Sequence, residues 1–412
     1  MTTFHELLAP IMPLIQLIEH DRPKHHNEDL TWSDFVRILV YFFTNDRTSG
    51  NELIVALHSA DPALGLPKTS RRALSEGFWR FSPRLIQQVL TTQLATTTYP
   101  AIPELSFIGP TYAVDGSLFP LIRSIYWPKT GDIVKSVKLH LKFALTHAIA
   151  VDFILSDEHA NERTAFRALM QPDQTYVLDR GYMEYQLVQD ADNRSATAVV
   201  RAYNNIDVET IETLPVDLAD AVKDHWSQVR DRMVRPKDPA YAHIRFRLVE
   251  CRVGSTTYRL ITNLYQLTTF QIFLLYAYRW QIELIFRYLK HTLHGVHLIT
   301  HHPTGIQNFF YALLLTALLH LQFKQRCLAE EGYNPPDSQS IEPEGAAHTA
   351  QTSDDVGRPT SHLAIARFFA RLNDALTRFW KISKHWLHTL ADNLSRPFTA
   401  EIMRLLNKYA VC

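Results

Sequence analysis

What this chain lacks removes several classes of function. It has no charge imbalance: 42 Lys and Arg stand against 42 Asp and Glu, for a formal net charge of zero. Nucleic-acid binders usually carry a basic excess, so the total argues mildly against one, although clustering matters more than the sum. Cysteine is scarce. Cys251, Cys327 and Cys412 are far apart and odd in number, with no zinc spacing and no disulfide framework, which points to a reducing cytoplasm. The pairs His25-His26 and His301-His302 have no partner at metal-ligand spacing and read as loop histidines. The N-terminus, Met-Thr-Thr-Phe-His-Glu, has no basic start and no apolar core of a signal peptide. The most apolar run, 309–323, contains His320 and Gln322. At about fifteen residues it is short for a membrane span and suits a buried helix.

What is present is the composition of a globular protein, 46% hydrophobic and 20% charged over 412 residues, long enough for two or three domains. Residues 1–105 read as helical. Thr31-Trp-Ser-Asp34 opens a helix with Phe35, Ile38, Leu39 and Phe42 on its apolar face, and further amphipathic stretches cover 51–60 and 85–94. From Thr111 the texture changes to strands. Residues 136–146 alternate, with Val137, Leu139, Leu141, Phe143 and Leu145 on one side and Lys138, His140, Lys142 and Thr146 on the other. The favoured reading of Lys138 and His140 is a solvated face. Strands at 150–156, 175–178 and 196–203, with helices at 159–170 and 182–190, give the order β, β, β, α, β, α, β. That is a mixed sheet with helices on its faces.

A β-rich insertion is expected at 204–266. It interleaves Arg230, Arg232, Arg235, Lys237, Arg245, Arg247 and Arg252 with Trp226, Tyr241 and Tyr258. Such a mixture suits backbone contact and base stacking, or equally the exterior of an ordinary β layer. A helix is expected from about 269 to 294, capped by Gly295. Residues 332–360 are rich in Ser, Pro, Glu, Thr and Gly and read as a linker. Two aromatic-rich helices in 361–412 suit self-association or packing back on the core.

The chemistry concentrates in three places. Asp115, in Tyr112-Ala-Val-Asp115-Gly-Ser, and Asp179, in Tyr176-Val-Leu-Asp179-Arg-Gly-Tyr182, each end an apolar run and precede a Gly. Asp before Gly is also ordinary turn chemistry, but strand carboxyl ends in α/β proteins are where functional groups collect. The third place is Tyr276-Ala-Tyr-Arg279-Trp-Gln-Ile-Glu283-Leu-Ile-Phe-Arg287-Tyr-Leu-Lys290. On a continuous helix, Tyr276, Arg279, Glu283, Arg287 and Lys290 fall within an arc of roughly 80°, and Leu274, Ile282, Ile285, Phe286, Leu289 and Leu293 fill the other side. Alone, its i,i+4 pairs would be a solvated face. With the two aspartates it makes a set of oxygen ligands of the kind that hard divalent cations take.

The helix resembles, residue for residue at Tyr276, Arg279, Glu283 and Lys290, the Y-x2-R-x3-E-x6-K signature of bacterial DDE transposases of the insertion-sequence-four family. Asp115-Gly-Ser and Asp179-Arg-Gly-Tyr182 are similar to that family's first and second Asp motifs. Arg287 shares the face but not the signature. The resemblance runs from about Tyr112 to Lys290. It implies a ribonuclease H-like core over 106–203 and 267–331, carrying the β-rich insertion and flanked by helical N- and C-terminal regions, with recognition of DNA ends in 1–105. It implies Asp115, Asp179 and Glu283 as catalytic and metal-binding residues for two Mg²⁺ ions, with Mn²⁺ as a substitute. Tyr276, Arg279 and Lys290 would contact DNA. The partners implied are double-stranded terminal inverted repeats and target DNA, in a homodimer and away from membranes. The activity implied is cut-and-paste transposition, with release of the flanks through a hairpin. A nuclease that does not join ends and a catalytically idle DNA-binding derivative are the alternatives. Should Glu283 not be the third acid, Glu158 and Glu162 are the remaining choices.

Overall fold

Runs of alternating and fully apolar residues from Thr111 onward build one sheet. The computed structural model describes residues 1–26, 28–127, 132–218, 226–253, 256–330, 381 and 384–407; the expected linker at 332–360 lies outside them. Three antiparallel strands come first: β1 (Thr111–Trp127), β2 (Asp132–Ala144) and β3 (Ile149–Asp157). Then β4 (Thr175–Leu178) lies parallel to β1, and β5 (Thr197–Arg201) parallel to β4. All four residues of β4 are buried, because the strand is covered on both faces as parallel strands usually are. The spatial order 3-2-1-4-5 with these directions is the ribonuclease H-like arrangement.

The expected insertion does not form a separate layer. Its strands β6 (Val208–Thr213), β7 (Ser227–Pro236), β8 (Phe246–Val253) and β9 (Thr256–Thr262) continue the same sheet. β9 pairs antiparallel with β5, giving among the described residues nine strands in the order 3-2-1-4-5-9-8-7-6.

Among the described residues, two apolar cores lie against the sheet. One gathers Phe166, Leu187 and Val188 of the helices Glu162–Leu169 and Tyr185–Asn193 under Tyr176 and Leu178. It also covers much of the face of β2 expected to meet solvent. His140 is fully buried there and donates to or accepts from Ser156 Oγ at 2.8 Å, and burial pulls its pKa down to about 4. Lys142 is buried over the Tyr112 ring at 4.4 Å and donates to Gln174 at 2.7 Å.

The other core contains the long helix Pro303–Glu330. This helix is long and apolar enough to cross a membrane by length and composition, but 78% of its most apolar stretch is buried inside the protein. The N-terminal helices pack on it. Three of them begin where a side chain meets a free N–H: Thr31, Ser49 and Ser70 accept from Asp34, Glu52 and Ala73, a contribution of about 1 kcal/mol per cap. Phe43 meets Phe309 at 4.8 Å, and Asn308 donates to the carbonyls of Phe78 and Phe81. Trp386, Leu390 and Leu394 are also buried, with Trp386 against Phe323 at 5.9 Å. The described C-terminal residues therefore pack back on the core.

Two expected elements differ in extent. β1 does not end at Asp115 but runs on to Trp127, because β2 continues to pair with it, Asp115 opposite Leu141. The helix expected over 269–294 is interrupted. It consists of Thr269–Tyr278, a tight turn in which the Arg279 and Trp280 N–H groups bond three residues back, Gln281–Arg287, and a π-helical turn Tyr288–Thr292. The positive φ at its end falls on His294, at 56°. Gly295 is needed for closeness: its N–H meets the Leu289 carbonyl at 2.9 Å, and a Cβ there would stand 2.6 Å from that oxygen.

A buried ion pair fixes where this interrupted helix begins. Arg247 on β8 forks onto Asp231 on β7 at 2.8 and 2.6 Å, with side-chain exposures of 5% and 0%. Asp231 also accepts from Thr269 Oγ1 at 2.8 Å, and Arg247 donates to the carbonyls of Leu264 and Leu267. Every charged atom thus has a partner, and Thr268 with Gln271 completes a capping box on the next turn. Asp231→Asn should lower the unfolding free energy by about 3–5 kcal/mol, the cost of leaving a buried charge uncompensated. Urea unfolding measures it; a loss under about 1 kcal/mol would mean that the pair does not hold this junction.

Candidate active site

Neighbouring parallel strands deliver the two motif aspartates. Ala113 on β1 is level with Val177 on β4, and two residues beyond each stand Asp115 and Asp179. The Asp115 carboxylate accepts from the Gly116 N–H at 2.8 Å. Asp179 leaves β4 and accepts from the Gly181 N–H at 2.8 Å, capping the short turn Arg180–Tyr182. The turn chemistry expected of Asp-x-Gly is therefore real, and it holds the carboxylate at the strand's carboxyl end.

The interrupted helix supplies a cation to these acids. Arg279 donates to Glu283 at 2.7 Å and stands 3.8 Å from Asp115, with its side chain 12% exposed. One guanidinium therefore links Asp115 with Glu283. The Asp115 carboxyl is raised to about 7, chiefly by burial, with Asp179 and Glu162 adding to the rise and Arg279 and the Gly116 N–H opposing it.

Glu162 is the acid that the motifs did not single out as primary. It opens the helix Glu162–Leu169, is held by Lys138 at 3.4 Å, and faces both motif glycines. The signal available in the sequence was its place in the first turn of a helix following β3, opposite the alternating Lys138. Glu158, the other fallback, is taken up by Ser136 and His159 instead. Tyr182 is fully buried, and its hydroxyl has no hydrogen-bond partner among the described residues. Burial raises its pKa, and Asp115, Glu162 and Asp179 act on it in the same direction.

The remaining signature residues line the same helix. Tyr276 is buried, its ring 5.7 Å from the Arg279 guanidinium and 6.3 Å from the Tyr258 ring. Lys290 lies half-buried, 5.0 Å above the Phe119 ring, and burial lowers its pKa. Arg287 is exposed. In the insertion, Trp226 is buried against Phe270 and Phe273, and Tyr241 lies beside Tyr185. Arg232, Arg235, Lys237 and Arg247 pair with Glu250, Glu209, Asp207 and Asp231.

Among the described residues, no three His, Cys, Asp or Glu side chains are arranged to hold a metal; the acids are disposed around Arg279. Their chemistry does suit a hard divalent cation. Asp115 and Glu283, from separate elements and with limited access to water, offer oxygen ligands of that kind, and the charge of Arg279 is shared between them. Arg279→Ala should therefore cost about 3 kcal/mol in EDTA, because it leaves these acids without their cation. Millimolar Mg²⁺ should restore part of that loss. Thermal unfolding with and without Mg²⁺ measures both effects, and an unchanged midpoint in EDTA would show that the guanidinium does not hold the acids together.

Comparison with known proteins places this arrangement. A family profile described as the transposase DDE domain matches residues 108–319, which include β1 through the interrupted helix. The putative transposase y4zB of Sinorhizobium fredii (strain NBRC 101917 / NGR234) is 24% identical over 213 residues, which is 50% of this chain and 59% of that relative's length. The probable transposase for insertion sequence element IS5377 of Geobacillus stearothermophilus is 20% identical over 269 residues, 64% of this chain and 70% of the relative. Among solved structures, the piggyBac transposase synaptic complex with hairpin DNA superposes at a TM-score of 0.36 with 9% identity, covering 99% of this chain and 84% of that one. With half of its length matched by the profile, the matched stretch carrying Asp115, Asp179 and Glu283, the chain belongs to the DDE transposase family.

Proposed function

We propose that this protein catalyses cut-and-paste transposition: hydrolysis at the terminal inverted repeats of an insertion sequence, then strand transfer into target DNA. The observation that carries the reading is the meeting of β1 and β4 with the interrupted helix. The two parallel strands bring Asp115, within β1, beside Asp179, just past the end of β4, and Arg279 connects Asp115 to Glu283. The spacing of Tyr276, Arg279, Glu283 and Lys290 supports placing the chain in the insertion-sequence-four branch.

Asp115, Asp179 and Glu283 would hold the divalent ions, Mg²⁺ or in its place Mn²⁺. Two such ions supply charge stabilisation for both the attacking and the leaving oxygen of a phosphodiester. The chain's own residues bind and orient. Arg279 and Lys290 contact phosphates beside the cleaved bond, with Tyr276 supporting Arg279. Charge-assisted contacts of this kind position DNA without reading its sequence. The apolar wall formed by Ile282, Ile285, Phe286 and Leu289, all buried, keeps the helix face in place. A homodimer would bring two ends together, and the cytoplasm is the compartment in which the chain meets DNA.

Glu283→Gln keeps the shape but removes the anionic charge that a hard cation favours. It should abolish end cleavage and leave end binding within a factor of about two, since binding rests on phosphate contacts. An electrophoretic assay with Mg²⁺ and a labelled terminal repeat reads both, and normal cutting would remove Glu283 from the chemistry. Joined products in the same reaction separate a transposase from a nuclease that only cuts.

Lys290→Ala should weaken binding by a similar factor for every end sequence and flatten the salt slope by about one unit. A change in sequence preference would instead mean that this face reads base edges.

A further inference from the structure

We propose that Glu162 is a fourth acid of the cation site, acting beside Asp115 and Asp179. The inference rests on the reading of those two aspartates as cation-binding residues, and goes beyond it by adding a residue from outside the three motifs.

The geometry is specific to this carboxylate. A Cβ at Gly116 would stand 3.0 Å from Glu162 Oε1, and one at Gly181 would stand 3.4 Å from Glu162 Oε2. Both motif glycines therefore leave room for the same side chain, one on each side, next to Asp115 and Asp179. Contacts near 3.0 Å are closer than ordinary carbon–oxygen packing tolerates, so even an alanine at Gly116 would press on the carboxylate. Asn161 fixes the position of Glu162 along the chain. Its side chain accepts from the Arg163 N–H at 2.8 Å and starts the helix there, so that Glu162 is the first helical residue. Lys138 pairs with Glu162 at 3.4 Å.

A second observation, independent of the acids, points to a ligand among them. Tyr182 is fully buried, and its hydroxyl has no partner among the described residues, although burying a hydroxyl unpaired is costly. The groups whose fields reach that hydroxyl are Asp115, Glu162, Asp179 and Arg279. The orphan phenol thus lies within the electrostatic reach of Asp115, Asp179 and Glu162. A hydrated divalent cation there would bring oxygen partners to the phenol and positive charge to the acids.

The test is Mn²⁺ binding to the full-length protein without DNA, followed by the loss of free-ion electron paramagnetic resonance signal. Wild type, Asp115→Asn, Glu162→Gln and Glu158→Gln are compared. Glu162→Gln should weaken Mn²⁺ binding about tenfold or more, at least what losing a supporting partner of a metal ligand costs. Its melting temperature in EDTA should stay near that of wild type, and Glu158→Gln should bind like wild type. If Glu162→Gln does not fold, Glu162→Asp keeps the charge opposite Lys138 and withdraws the oxygens by one methylene; the same loss of affinity is required of it. A lower melting temperature with unchanged Mn²⁺ affinity would make Glu162 a structural partner of Lys138 and overturn the proposal. Weakened binding in Asp115→Asn but not in the Glu162 variants overturns this inference alone. No Mn²⁺ binding by wild type, or binding indifferent to Asp115→Asn, overturns the reading on which it rests as well.

Discussion

Carboxylates can be gathered in a partly dehydrated place only if something positive stands among them. Here that is Arg279, which meets Glu283 at 2.7 Å and Asp115 at 3.8 Å. Isolated burial of an ionised carboxylate is expensive enough that the group changes protonation state instead, and Asp115, pushed up to about 7, sits near that boundary even with the guanidinium beside it. The arrangement is therefore short of positive charge by construction. It is held in a form that a divalent cation would complete.

Placing Arg279 depends on parts of the chain far from the acids. The interrupted helix begins at Thr269, whose hydroxyl donates to Asp231, and Asp231 is clamped by Arg247. That pair lies in β7 and β8, within the stretch inserted between Asp179 and Glu283. The insertion thus extends the sheet and also sets the start of the element that carries the cation. Nine residues separate the anchored Thr269 from the turn at Arg279–Trp280, so a shift at the anchor is carried to the guanidinium by a rigid rod. On the other side, Pro303–Glu330 ties the N-terminal helices to the core through Phe309 and Asn308. Among the described residues, the helical N-terminal region therefore shares one apolar core with the long helix.

Much of this was legible in the sequence because it rests on local rules. Alternation in 136–146 and the fully apolar Tyr176-Val-Leu marked strands, Thr31-Trp-Ser-Asp34 marked a cap, and Asp179-Arg-Gly181 marked a turn that does bond as such. What was illegible depends on partners distant in sequence. His140, with Lys138, looks like a solvated face, yet it is fully buried in the fold. Asp115 looks like a strand end because Gly116 follows it, but the pairing of β2 carries the strand through. The break at Arg279–Trp280 has no Gly or Pro to announce it. Glu162 has no motif of its own, and only the two glycines facing it give it away.

The zero net charge can also be understood from where the cations go. In the insertion, Glu250 takes both Arg232 and Arg259, Glu209 takes Arg235, Asp207 takes Lys237, and Asp231 takes Arg247. These are basic residues that a count would credit to DNA binding, yet each has an acid beside it. Exposed pairs such as Lys237 with Asp207 are weak, with a median near 0–1 kcal/mol, and a phosphate could displace the acid at little cost. The buried Arg247 pair could not be so exchanged without losing the helix anchor. Arg230 and Arg245, exposed and without an ion-pair partner among the described residues, are different again. They start with their full charge toward solvent. The balance of 42 against 42 thus mixes cations locked into the fold, cations loosely compensated and cations uncompensated, and only the last two kinds can contribute to a salt-dependent grip on a phosphate backbone.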